Sequence, residues 1–343
     1  MSNITIKQIA KALNLSVSTI SKALNDSYEI SIETKKIVKT YAKEHNYRPN
    51  RLAKSLKGGS SNVIGVVVCS INNIFVSQIL EGIQMAAYET DYEIMIMQSH
   101  ENILNERQCI ESLIRKGVDG ILLAPVSETS NSEYLNDINN QVCPIIFFDR
   151  INPKVKTIKI GIDEEKGSFL AITHLSRINR KKILFVTGDQ FGDNNPRILG
   201  YKKALEKSNI SFNQKLFLMC NLQNPKEVDE FLLHNISQLM KSSNRPNAIF
   251  GATGVITLRI LGVLAQIRIK VPEDIAVIGF SNFDMPFALN PPLSSIRQPT
   301  QEIGFVTLKK MVELLETDKE KRHRLFETIL LDPILELRKS TSL

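Results

Sequence analysis

The sequence predicts a small all-α helix-turn-helix unit followed by an α/β core of two doubly wound parallel-sheet lobes. Three observations carry that fold class. Apolar residues recur at helical spacing between capping residues up to about residue 45, the pattern changes near residue 62 to short β-branched runs alternating with amphipathic stretches, and the alternation repeats after a break at residues 159 to 163. Short apolar strands between amphipathic helices indicate buried parallel sheets with crossover helices. A chain of 343 residues, 43% hydrophobic, also exceeds the size at which one core keeps growing, so it divides into domains.

In the first unit, Ile6, Ile9, Ala10 and Leu13 stand at i, i+3, i+4 and i+7, one face of a helix ending near Asn14. Ser16 caps a second helix whose inward residues are Ile20, Ala23 and Leu24, leaving Val17, Ser18, Ser21, Lys22 and Asn25 outward. Ser31 caps a third, supported by Ile37, Val38, Tyr41, Ala42 and His45. The outward set of the second helix is short hydrogen-bonding or methyl-bearing side chains plus one long cation. Such a face enters a major groove about 12 Å wide and reads base edges from the helix's N-terminal half.

Next comes "NYRPNRLAKSLKGGS", residues 46 to 60, where Pro49 resets the chain, Asn50 to Lys57 allows two helical turns, and Gly58, Gly59 and Ser60 form a connector. Leu56 stands among basic residues. It is either a stray leucine in a solvated linker or a wedge that opens a base step in the minor groove while neighbouring cations hold the backbone.

Beyond residue 62 the strands are "VIGVVV", "YEIMIM", "GILLAP", "PIIFFD", "KILFVT", "NAIFGA" and "IAVIGF", separated by helices over 76–90, 104–116, 164–178, 197–208, 225–241 and 255–268. Loops at the strand C-termini of such sheets face a cleft, where ligands bind.

Charge localises the partner. Residues 1 to 60 hold 11 Lys+Arg against 4 Asp+Glu, whereas the remainder holds 32 of each. A compact basic module on a neutral body is the footprint of nucleic-acid binding. Cys69, Cys109, Cys143 and Cys220 are too far apart in sequence for a metal or redox motif and read as buried thiols. Lys7, Gln8 and Lys11 interrupt the early apolar run, so neither a signal peptide nor a membrane span is expected, and the expected location is the cytoplasm. No G-x-G-x-x-G follows the first strand, and there is neither a P-loop nor a G-x-S-x-G elbow, so no enzyme is expected. A periplasmic solute-binding protein would explain the lobes but has no use for the basic module.

The helix-turn-helix, "NYRPNRLAKSLK", "DGILLAP", "FFDR", "PRILGYKKAL", "VPEDIAVIGF" and "PPLSSIRQP", in this order, resemble the LacI/GalR family of bacterial transcriptional regulators from about Ile4 to Leu337. The resemblance implies a homodimer on palindromic double-stranded operator DNA. Its core would be periplasmic-binding-protein-like, type I, holding a small-molecule effector, a sugar or sugar derivative, with no cofactor and no metal. Repression is the commoner behaviour in the family, activation the alternative. The implied domains are 1–47 for DNA binding, 48–60 for the hinge helix and linker, and 61–343 for the core. The N-lobe would take 61–160 and 292–321, the C-lobe 163–286 and 326–340, with crossovers near 160–163, 286–292 and 321–326. Only Lys339 to Leu343 follow the last apparent strand, "LFETILLDPILELR", so a dimer without a heptad tail is expected.

By the same resemblance, Val17, Ser18 and Lys22 match base-reading positions, Lys22 standing where arginine is common and lacking its bidentate fork. Thr5, Ser16, Thr19, Ser21, Asn25 and Tyr47 match backbone-contacting or supporting positions. In the hinge, Asn50, Ala53, Lys54 and Lys57 match likewise, with Leu56 as the wedge. Effector candidates are Asn72, Asn73 and Phe75 after the first strand, Gln98 and His100 after the second, Asp149 and Arg150 after the fourth, then Arg197, Thr253, Ser281 and Asn282. Structural alternatives stand beside three of them: Asp149 pairing with Arg150, His100 as an exposed turn residue, Phe75 as core. Where the family usually has carboxylates, this chain has Gly254 and Ser281, which with Arg150, Arg197 and His100 suggests a phosphorylated or acidic sugar.

Overall fold

A computed structural model describes residues 4–47, 60–126, 131–151, 153–189, 192, 194–222, 224–322 and 325–342. It divides into two compact units, Met1–Ser61 and Asn62–Leu343.

The first unit holds helices α1 (Ile6–Ala12), α2 (Val17–Leu24) and α3 (Ile32–Glu44). Each begins at a hydroxyl cap. Thr5 and Gln8 form a reciprocal capping box, with Thr5 N donating to Gln8 Oε1 at 2.8 Å and Gln8 N to Thr5 Oγ1 at 3.3 Å. Ser16 Oγ accepts from Thr19 N at 2.9 Å, and Ser31 Oγ from Thr34 N at 3.2 Å. Ile9, Ala10, Ile20, Ala23, Val38 and Ala42 make the buried core, with Leu24 and Tyr41 packed on its rim. Two expected supporting residues lie elsewhere: Ile37 is 50% exposed, and exposed His45 stacks on Tyr41 at 4.0 Å between ring centroids. The first helix ends two residues before Asn14, which takes the left-handed conformation (φ 51°) that closes the turn.

The second unit contains two six-stranded sheets. The first has β1 (Val63–Val68), β2 (Glu93–Gln98), β3 (Gly120–Leu123), β4 (Ile145–Phe148), β5 (Lys159–Ile162) and β11 (Thr328–Leu331) in the order β11-β5-β4-β3-β1-β2, with neighbouring strands parallel. The second has β6 (Ile183–Gly188), β7 (Phe217–Cys220), β8 (Ala248–Gly251), β9 (Ala276–Phe280), β10 (Ser294–Arg297) and β12 (Ile334–Glu336) in the order β12-β10-β9-β8-β6-β7. Among the described residues, only the β10–β12 pair is antiparallel. Helices α4 (Ile74–Ala87), α5 (Ile103–Arg115), α6 (Ser132–Gln141), α7 (Glu164–Arg177), α8 (Pro196–Lys207), α9 (Pro225–Lys241), α10 (Gly254–Gln266), α11 (Thr300–Glu316) and the short α12 (Lys319–Arg322) complete the unit. Four buried clusters cover the two faces of the two sheets, which is why the strands read as unbroken apolar runs.

The lobe boundaries differ from those expected. Ser294 pairs with Ile278, so residues 294–297 belong to the C-lobe, while Ile329 pairs with Ile160, so residues 328–331 belong to the N-lobe. The chain therefore crosses at Asp163, again at 298–299 and finally at 332–333, rather than near 286–292 and 321–326. The apparent single strand in "LFETILLDPILELR" is two strands in different sheets, cut by Pro333, which has no amide to donate.

In the N-lobe, α4 and α11 touch backbone to backbone: a Cβ at Gly82 would overlap the Gln301 carbonyl, and one at Gly304 the Ile79 carbonyl. All four cysteines are free, but Cys69 is only half-buried. Burial raises the Cys69 and Cys220 thiols to about 11 and Cys143 to about 12.

Candidate nucleic-acid interface and ligand cleft

On the first unit, Val17, Ser18, Lys22 and Asn25 are exposed on α2, whereas Thr19 and Ser21 are half-buried. The candidate supporting residues are occupied in holding this face. Thr5 and Ser16 cap helices, Thr19 Oγ1 lies 2.8 Å from Ser16 Oγ, Asn25 Nδ2 donates to Ser21 O at 2.9 Å, and Tyr47 packs on the core. Lys22 Nζ is paired with Glu29 in the turn that follows α2, a partner the sequence reading missed. The hinge candidates Asn50, Ala53, Lys54, Leu56 and Lys57 lie outside the described residues.

In the core, Arg150 draws together the loops that follow β2, β3 and β4. Its Nη1 and Nη2 donate to the two carboxylate oxygens of Glu101 at 2.7 and 2.8 Å, and Nη1 also to Val126 O at 2.7 Å. Beneath it, fully buried Glu106 accepts from Val126 N at 2.7 Å and Asn131 Nδ2 at 3.3 Å, and burial raises its carboxyl above the usual range. Asp149, at φ 68°, donates its amide to Ile160 O at 3.1 Å. Burial pushes the Asp149 carboxyl up to about 6; Arg150 and Arg197 offset this, while Glu164 and Glu101 add to it. The same electrostatic neighbourhood therefore joins Asp149, Arg150 and Glu101 of the N-lobe to Glu164 and Arg197 at the starts of α7 and α8 in the C-lobe.

Arg197 is 11% exposed, pairs with Glu164, donates to Ala252 O and lies 4.3 Å from the centre of the Phe280 ring. Each arginine is paired with a carboxylate, Arg150 with Glu101 and Arg197 with Glu164. Arg150 pairs bidentately with Glu101, not with its neighbour Asp149.

The remaining candidates divide. Gln98 Oε1 accepts from Ile71 N at 3.0 Å, Asn73 caps α4 by accepting from Phe75 N at 3.0 Å, and Thr253 caps α10 by accepting from Ile256 N at 3.2 Å. Asn72 is exposed, Phe75 packs against the N-lobe core, and His100 is exposed at φ 51°. Ser281 is 5% exposed and its Oγ accepts from Phe283 N at 3.3 Å. Asn282 is 7% exposed and serves as a clasp between lobes. Its Nδ2 donates to Gln298 O at 2.8 Å, Gln78 Oε1 at 3.0 Å and Thr300 Oγ1 at 3.1 Å, and Gln78 Nε2 returns a bond to Asn282 O at 3.1 Å. Gln78, Glu101, Glu164 and Thr300 had no signal in the sequence beyond their place beside strand ends and helix starts.

Two family models match this chain. That for bacterial regulatory proteins of the lacI family covers residues 5–50, and that for a periplasmic binding protein-like domain covers residues 172–341. Residues 5–50 are a DNA-binding segment of the LacI family. Among the chain's relatives, the HTH-type transcriptional repressor PurR of Aliivibrio fischeri (strain MJ11) is 28% identical over 328 residues, 94% of this chain and 95% of that one. The ribose operon repressor of Haemophilus influenzae is 27% identical over 340 residues, 98% of each. The Lac repressor dimer bound to operator and an anti-inducer superposes with a TM-score of 0.85 at 20% identity, covering 99% of both chains. A LacI family regulator of Enterococcus faecium with bound ribose gives 0.68 at 24% identity, covering 81% of this chain and 98% of that one. Among the described residues, no helix is long and apolar enough to cross a membrane.

Proposed function

We propose that this protein is a transcriptional repressor that binds palindromic operator DNA as a homodimer, and that a small molecule between the core lobes sets its operator affinity. The observation that carries the reading is one chain in which a basic helix-turn-helix unit exposing Val17, Ser18 and Lys22 precedes a two-lobed core, with repressors of both kinds named above alike over nearly their whole length. Val17, Ser18 and Lys22 read bases, and Leu56 is the minor-groove wedge. Leu56→Ala weakens specific operator binding more than nonspecific binding; equal losses on both DNAs refute the wedge. Exposed apolar residues on α4 and α10, including Met85 at 50% and Val255 at 55%, favour the homodimer. The protein acts by binding and catalyses no reaction.

The effector is a neutral polyhydroxylated molecule, a carbohydrate or sugar derivative, a reading supported by the neutralisation of Arg150 and Arg197 by Glu101 and Glu164. The effector acts only through different affinities for two lobe arrangements, and DNA and effector then alter each other's binding reciprocally. A thermal-shift screen of the full chain against neutral sugars, sugar phosphates and sugar acids tests this. Shifts with neutral sugars alone are expected. Shifts confined to the phosphates or acids overturn the ligand class.

A further inference from the structure

The structure assigns Glu29 a role that rests on the DNA-reading function above: it positions the Lys22 ammonium, and so sets the base preference of α2. Lys22 lies in the last turn of that helix, and its ammonium is paired with the Glu29 carboxylate in the connection to α3. Both side chains are nearly half exposed, 44% for Lys22 and 45% for Glu29. An exposed pair of this kind contributes little to stability.

A carboxylate here also opposes the unit's own electrostatics, since it sits next to an exposed base-reading candidate in a segment dominated by Lys and Arg. The other acidic residue of the same connection, Asp26, has separate partners. Lys39 pairs with its carboxylate, and Lys35 Nζ donates to its backbone oxygen at 3.0 Å. Glu29 is thus matched to Lys22 in particular.

The chemistry explains the pairing. Lysine is a point charge on a flexible stem, without the rigid fork with which arginine grips guanine O6 and N7. Its ammonium carries three donors, so one can stay on Glu29 while the others reach a base edge. The carboxylate anchors the ammonium on the groove side of the helix and competes with phosphate oxygens for it. Glu29 itself accepts only from donors, and the exocyclic amine of cytosine is the base-edge donor that carboxylates take. The Lys22–Glu29 couple therefore favours one G·C orientation at one base pair of each half-site.

The test is binding-site selection from a randomised duplex library with the full-length wild type, Glu29→Gln, Lys22→Gln and the variant carrying both, followed by affinity measurement at several salt concentrations. In Glu29→Gln, discrimination at one symmetry-related base pair falls about 10-fold. Nonspecific affinity rises at the same time, and its salt slope steepens by roughly one per half-site, because the released lysine turns to phosphate. In the Lys22→Gln background, Glu29→Gln leaves the base preference at that pair unchanged. If the wild type enriches a motif and Glu29→Gln gives the same base weights and salt slope, the assignment is overturned while the DNA-reading function stands. If the wild type enriches nothing, that function falls and the assignment with it.

Discussion

The interlobe clasp gives the most direct prediction. Asn282→Ala deletes an amide whose two hydrogens are shared among Gln298 O at 2.8 Å, Gln78 Oε1 at 3.0 Å and Thr300 Oγ1 at 3.1 Å, and removes the acceptor for Gln298 N at 3.1 Å. The site is buried, so water does not readily replace what is lost. At ~1 kcal/mol net for each bond, with an additional cost for stranding a buried amide, the loss comes to about 3–5 kcal/mol. The bonds from Gln78 Nε2 to Asn282 O and from Thr300 Oγ1 to Gln78 Oε1 survive, and they keep the effect from being larger. Urea unfolding of the full chain, followed by circular dichroism, should show the midpoint falling with little change in slope. Asn282→Asp, which keeps the shape but turns a negative charge toward two oxygen acceptors, should cost at least as much at neutral pH. A loss below about 1 kcal/mol in both variants would refute the clasp.

Three further predictions follow from the core. Burial raises the Asp149 carboxyl to about 6, so the folded state holds its proton more tightly and the penalty for ionising it is present above pH 6. Asp149→Asn should therefore stabilise the protein at pH 7, with the difference shrinking as pH falls from 6 toward 4; the full shift is ~3 kcal/mol, and partial exposure reduces the expected gain to about 1–2 kcal/mol. A pH-independent difference in denaturation midpoints would contradict this. Gly82→Ala should destabilise the N-lobe by ~2 kcal/mol or more, read from its melting temperature, because the methyl group meets a backbone carbonyl that cannot rotate away. Glu101→Gln should release Arg150 from its paired carboxylate and raise affinity for sugar phosphates over neutral sugars, measured by calorimetry on the intact chain.

Much of this architecture was legible because local chemistry and tertiary structure agree. Ser16 and Ser31 cap their helices as their neighbours predict, and Ile9 and Ile20 meet in the small core that their spacing implies. Agreement fails where one sequence pattern serves two folds equally. The alternating run after Leu325 reads as one strand, and only Asp332 and Pro333 betray that it changes sheets. Ile37 satisfies helical periodicity, yet α3 packs against two short helices, and among the described residues that side stays half exposed. In the cleft, residue type did not tell function from support. A polar residue after a strand can face a ligand or close a buried network, and Asn282 does the second. Arg150 and Arg197 looked available because their carboxylate partners, Glu101 and Glu164, are 49 and 33 residues away in sequence.

The three crossings also fix an order of manufacture. The N-lobe begins at residue 62, but α11 and the edge strand β11 arrive only after the whole of β6 to β10 has been made. On a ribosome that adds residues from the N-terminus, the C-lobe sheet lacks only its antiparallel edge when the N-lobe still lacks its final strand and the glycine-lined helix that covers one face. The lobe started first is therefore completed almost together with the other, and β1 to β5 wait through some 160 residues of synthesis with part of their apolar surface uncovered.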